Sequence, residues 1–87
     1  MKYIVSISKA AERKIKKLDI QTKKKLSNIF ILLENDPFHM GLKTHKLKGE
    51  LEGYYSCRLN YSNRIIFLII EKDQILITDI GSHDDVY

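Results

Sequence analysis

The residues of this 87-residue chain best suited to chemistry are its histidines, two arginines set inside apolar runs, and a scatter of lysines. His45 lies in a polar stretch between Lys43, Lys46 and Lys48, and His83 lies close to the C-terminus beside Asp84 and Asp85. An imidazole exchanges protons near neutral pH more readily than any other side chain, so either histidine suits the role of acid or base. The carboxylates beside His83 would favour its charged, donating form. The plainer reading of both is a solvated histidine on a loop or tail. Arg58 and Arg64 interrupt segments otherwise built for packing, where a charge is costly unless it is paired or faces a cleft. Each could hold an anion through its planar fork of donors, or simply form an ion pair with Glu50, Glu52 or Asp79. The spacing of Lys43, Lys46 and Lys48 could follow a phosphate backbone, although such lysines are commonly just a solvated surface. Tyr87 follows His83 by four residues, a spacing that puts both on one side of a short helical turn, unless the terminus is frayed. Cys57 sits in an apolar strand pattern and reads as packing rather than as a nucleophile. No metal or other cofactor is expected. His39 and His45 lack ligand-like spacing, and the acidic residues do not cluster with them.

These side chains need a scaffold, and the hydrophobic pattern supplies one. Lys2 to Ser8 alternates like a strand, with Tyr3, Val5 and Ile7 on one face. Ser8 is placed to cap a helix running to about Leu18 with a stripe of Ala11, Ile15 and Leu18. Asp19 would cap a second helix, in which Leu26, Ile29, Phe30 and Leu33 repeat at three- and four-residue spacing. Asn35-Asp36-Pro37 stops it, and the short link between the two predicts a helical hairpin. Phe38 to about Gly53 reads as a polar loop. Three strands follow: Tyr54 to Asn60, Arg64 to Glu71 and Gln74 to Ile80. In the first, Tyr55, Cys57 and Leu59 share one face, and Ser56, Arg58 and Asn60 the other. The second is apolar on both faces, as suits a central strand. Tyr61-Ser62-Asn63 and Lys72-Asp73 are short enough for antiparallel turns. Gly81 ends the last strand, and Ser82 to Tyr87 forms a tail. The expected fold is α+β, of order β-α-α-β-β-β: an N-terminal strand, a helical hairpin and a three-stranded antiparallel meander. Residues 1–87 make one domain, too small for a second core.

The composition narrows the functional classes. A 44% hydrophobic content argues for a folded globule and against a disordered basic tail. The longest apolar run, Ile65 to Ile70, falls far short of the ~20 residues that span a bilayer. The N-terminus has no signal-peptide core, so a soluble, cytoplasmic protein with no membrane partner is expected. A single cysteine fits a reducing compartment. The net charge of +4 points to an acidic partner.

The stretch THKLKGELEGYYSCRLNYSNRIIFLI and the terminal DIGSHDDVY resemble the RelE/ParE superfamily of toxins, and its YafQ-like and StbE-like branches above all. The matching elements are His45-Lys46-Leu47-Lys48-Gly49, the basic residue Arg58, Arg64-Ile65-Ile66-Phe67, and Gly81-Ser82-His83 with Tyr87. They come in the family's order and spacing, and the element order agrees along nearly the whole chain.

The resemblance implies a toxin of a type II toxin–antitoxin system, an endoribonuclease that cleaves mRNA, often in the ribosomal A site. Its expected partners are mRNA, the ribosome and a cognate antitoxin that is acidic where it binds the toxin. It implies catalytic roles for His45, Arg58, Arg64, His83 and Tyr87, and RNA contacts for Lys43, Lys46 and Lys48. Metal-free RNA cleavage needs a base for the ribose 2′-hydroxyl, a donor for the departing 5′-oxygen, and cations around the crowded phosphate. An aromatic surface for an unpaired base would complete the set. Arg64 would hold the scissile phosphate. Arg58 stands where the YafQ-like branch usually carries histidine, which makes it an electrostatic stabiliser and leaves the general acid unassigned. Asp79 stands where that branch often has arginine. The fold alone admits two other functions: a gyrase-directed toxin of the ParE kind, or an inactive module that only pairs with an antitoxin.

Overall fold

A computed structural model describes residues 2–82 and Val86. The chain opens with β1 (Ile4–Ile7), whose alternation turns Val5 and Ile7 onto the core and leaves Ile4 exposed. Ser8 then ends the strand and starts α1 (Lys9–Lys16). Its hydroxyl accepts from the Ala11 amide at 3.1 Å and donates to the Thr78 carbonyl at 3.1 Å. One side chain therefore both caps the helix and bolts it to the far end of the chain. Ala11 is fully buried, and Ile15 and Leu18 pack beside it.

Asp19 caps α2 (Ile20–Asn35) by accepting from the Thr22 amide at 2.6 Å, and hydrogen bonds from the Thr22 side chain and amide hold its carboxyl below the ordinary carboxylate range. Leu26, Ile29 and Leu33 form the buried stripe. The helix ends at Asp36, which is extended as a residue before proline should be.

β3 (Tyr55–Arg58), β4 (Asn63–Ile70) and β5 (Gln74–Ser82) form the expected antiparallel meander, with β4 in the centre. Ile65 and Phe67 are fully buried toward the helices, and Ile66 is 2% exposed on the opposite face, so β4 is covered on both sides. Burial of each such side chain contributes ~1.5–3 kcal/mol. A bulge opposite Ile66 and Phe67 leaves Thr78 as an extra residue in β5.

Two features were not read from the sequence. β1 runs parallel to β5, pairing Ile4 with Gln74 through Ile7 with Ile77, so the sheet is mixed and not wholly antiparallel. The stretch expected to be a loop also contains a strand, β2 (His45–Lys46), between two 3-10 turns at Met40–Leu42 and Gly49–Leu51. β2 adds to the edge of β3 and completes the order β1-β5-β4-β3-β2.

Candidate nucleic-acid cleft

Strand register places the basic side chains. Cys57 and Ile65 stand opposite each other and belong to the core, so their neighbours Arg58 and Arg64, also directly opposite, face away from the helices. His45 stands opposite Ser56, one alternation from Arg58 on that same outer face. Lys43, His45, Cys57, Arg58 and Arg64 line a cleft of about 300 Å³, and no carboxylate among the described residues contributes to its wall.

Each group is held differently. The Arg64 Nη1 donates to the carbonyls of Asn60 at 3.2 Å and Asn63 at 3.3 Å, which anchors its guanidinium to the β3–β4 turn. Arg58 has neither a side-chain hydrogen bond nor an ion pair among the described residues. Like charges directly opposite across a ladder are destabilising, and an anion held between them would offset that cost. The alternative ion pairs do not form among these residues. Asp79 binds Lys14 at 2.6 Å instead, and its carboxylate also accepts from the Ile80 amide at 2.9 Å. Asp79 is thus a brace between α1 and β5 and adds no opposing charge to the cleft wall.

Lys43 adopts a left-handed backbone (φ 52°) that turns the chain into β2. Its carbonyl lies 3.2 Å from the His45 Nδ1. A carbonyl only accepts, so this bond requires the proton on Nδ1 and leaves the Nε2 lone pair of the neutral ring free to take a proton. The backbone of one cleft residue therefore sets the tautomer of another.

Lys46 is separated from His45 by the two-residue period of β2 and faces the other way. With Lys48 it lines a second depression, of about 410 Å³, beside Glu52 and Tyr55. Of the three lysines expected to contact RNA, only Lys43 shares the cleft with His45, Arg58 and Arg64. His83 and Tyr87 lie outside the described residues. Cys57 touches the cleft but is 1% exposed, and burial pushes its thiol up to about 12, which leaves it no nucleophilic thiolate near neutral pH. His39 is structural: its Nδ1 accepts from the Gly41 amide at 3.0 Å and caps a 3-10 turn.

Residues 3–87 match the family model described as the bacterial toxin of a type II toxin–antitoxin system, YafQ. The chain belongs to this YafQ toxin family. It is 36% identical over 59 residues to toxin YoeB of Synechocystis, a match covering 64% of this chain and 69% of that one. Its fold is similar to the archaeal RelE–RelB complex of Pyrococcus horikoshii, with a TM-score of 0.80 at 23% identity over 94% of this chain and 96% of the other. It is also similar to the DinJ–YafQ toxin–antitoxin complex of E. coli, with a TM-score of 0.76 at 18% identity over 100% and 99% of the two chains. The YafQ-like assignment and the α+β fold expected from the motifs both hold. No described helix is long and apolar enough to cross a membrane.

Proposed function

We propose that this YafQ-family toxin is an endoribonuclease that cleaves mRNA by attack of a ribose 2′-hydroxyl on the adjacent phosphodiester, without a metal. The observation that carries this reading is the juxtaposition of Arg58 and Arg64 beside His45, in a cleft to whose wall the described residues add no carboxylate. Two guanidinium groups and Lys43 would bind the scissile phosphate and the extra charge that develops on it. The free Nε2 of His45 would take the 2′-hydroxyl proton. His83 follows Ser82 directly in the chain, and Ser82 pairs with Asn63, the neighbour of Arg64. It is the proposed donor to the departing 5′-oxygen, a role a guanidinium fills poorly. Tyr87 would stack on a base or contact the reacting phosphate, and Lys46 and Lys48 would contact RNA beyond the cleft.

The natural regulator would be an acidic antitoxin. The DinJ–YafQ structure is a toxin–antitoxin complex and the RelE–RelB structure a complex, each containing a chain of this fold, and charge complementarity with a chain of net charge +4 favours an acidic binding segment. The protein would act in the cytoplasm, on mRNA carried by ribosomes.

The test is to add the purified protein to translating ribosomes and, separately, to DNA gyrase on supercoiled DNA. Cut mRNA with unimpaired gyrase is expected. Intact mRNA with trapped gyrase would establish the ParE-like alternative, and inactivity in both would leave only antitoxin binding.

A further inference from the structure

β3 is covered by β2 only at Tyr55 and Ser56. The Leu47 amide donates to the Tyr54 carbonyl at 2.9 Å, and the Leu59 amide donates to the Asn63 carbonyl at 3.1 Å on the other side. Even-numbered residues of β3 therefore point their backbone groups toward the β2 side. Arg58 is the next in phase beyond the end of β2, so its amide and carbonyl face an open edge. Along that edge, between β3 and α2, runs a second groove of about 430 Å³. Its floor is apolar, made by Ile29, Leu32 and Leu59, and Lys25, Asn28 and Asn60 stand at its rim. Tyr61, 86% exposed, flanks it. Arg58 is common to this groove and to the cationic cleft, so the two form a continuous surface that turns around one residue.

We propose that this groove is a nucleobase subsite, holding an unpaired base of the RNA strand whose phosphate lies in the neighbouring cleft. The proposal rests on the ribonuclease reading and adds to it where the strand runs. A base has apolar faces that suit the floor. Every base also carries an adjacent donor and acceptor on its Watson–Crick edge, the complement of one residue's free amide and carbonyl. Tyr61 offers a stacking surface, and Lys25 can meet the next phosphate. An added peptide strand fits less well, because β3 leaves one outward rung open and strand addition draws its affinity from several.

The experiment is an amide chemical-shift titration of the full chain with a short single-stranded RNA, 2′-O-methylated so that it cannot be cut. A matched strand, abasic at one nucleotide, serves as the comparison. The base-bearing strand is expected to shift Lys25, Asn28, Leu59 and Tyr61 together with His45 and Arg64, and the abasic strand the cleft residues and Lys25 but not Asn28, Leu59 or Tyr61. Asn28 and Lys25 are exposed on α2, so Asn28→Trp, which fills the groove, and Lys25→Glu should both fold. Each should weaken the base-bearing strand by about tenfold, within the range that stacking of one base supplies, and Asn28→Trp alone should leave the abasic strand unaffected, because Lys25 meets a phosphate that both strands carry. Shifts confined to the cleft with both strands would overturn the subsite while leaving the nuclease reading intact. A groove that answers only to an acidic extended peptide would also overturn the subsite. No shift at either place would overturn both readings.

Discussion

Arg58 and Arg64 stand directly opposite each other across β3 and β4, on the sheet face that looks away from the helices. The central fact of the site is that two like charges share one rung and that, among the described residues, no carboxylate lines the cleft beside them. Arg64 is tied to turn carbonyls, whereas Arg58 has no side-chain partner among the described residues. Their roles should separate accordingly.

Replacing Arg64 with alanine should lower RNA cleavage by ~10²–10³-fold, the usual loss when a fixed donor to a developing oxyanion is removed. Arg58→Ala should cost activity as well, yet leave the folded state as stable or slightly more so, because the opposed charge is gone. Cleavage assays and thermal unfolding on the same preparations check both. An Arg58→Ala protein several degrees less stable than the parent would show that the guanidinium serves packing instead.

His45 should behave as a base rather than as an acid, since the Lys43 carbonyl leaves Nε2 as its free nitrogen. His45→Ala should reduce cleavage by ~10²–10⁴-fold, the range for loss of a positioned proton acceptor. An RNA whose leaving 5′-oxygen is replaced by sulfur needs no acid to depart. This substrate should restore activity to His83→Ala and not to His45→Ala. The opposite pattern would exchange the two roles.

Cys57 gives a pH dependence whose sign follows from its burial. Its thiol is raised from 9.0 to about 12 in the folded state, so between those values the unfolded chain loses a proton that the folded chain keeps. The stabilisation from this site is complete below pH 9.0 and is lost as pH rises toward about 12, with a limiting slope of ~1.4 kcal/mol per pH unit. Cys57→Ala should lower stability at neutral pH and flatten the alkaline decline measured by denaturant titration. An equally steep decline in the variant would remove Cys57 as its source.

Much of this design is legible in the sequence, for identifiable reasons. Strands β1 and β3 show period-two alternation, β4 reads as a run apolar on both faces, and both helices carry capping residues, Ser8 and Asp19, that do what their types imply. Arg58 and Arg64 stand out because charges are rare in apolar strands. β2 does not stand out, because two residues are too few to display a period. Its absence from the sequence reading is why Lys43, Lys46 and Lys48 looked alike there. Only the strand's alternation turns Lys46 away from His45. The parallel pairing of β1 with β5 joins segments about seventy residues apart, which local pattern does not encode. The groove at Arg58 is equally silent in sequence, because it arises where β2 stops. Within the core, Leu33 was readable from the three- and four-residue spacing of apolar residues in α2.

The sharpest test of RNA cleavage by 2′-hydroxyl attack is the end chemistry of the cut strand on translating ribosomes. The parent protein should leave a 2′,3′-cyclic phosphate, and an mRNA with a single 2′-deoxynucleotide at the cut position should resist cleavage there. A cut that persists at the deoxynucleotide, leaving a 3′-hydroxyl end and proceeding equally well with Arg64→Ala, would contradict the mechanism at its root.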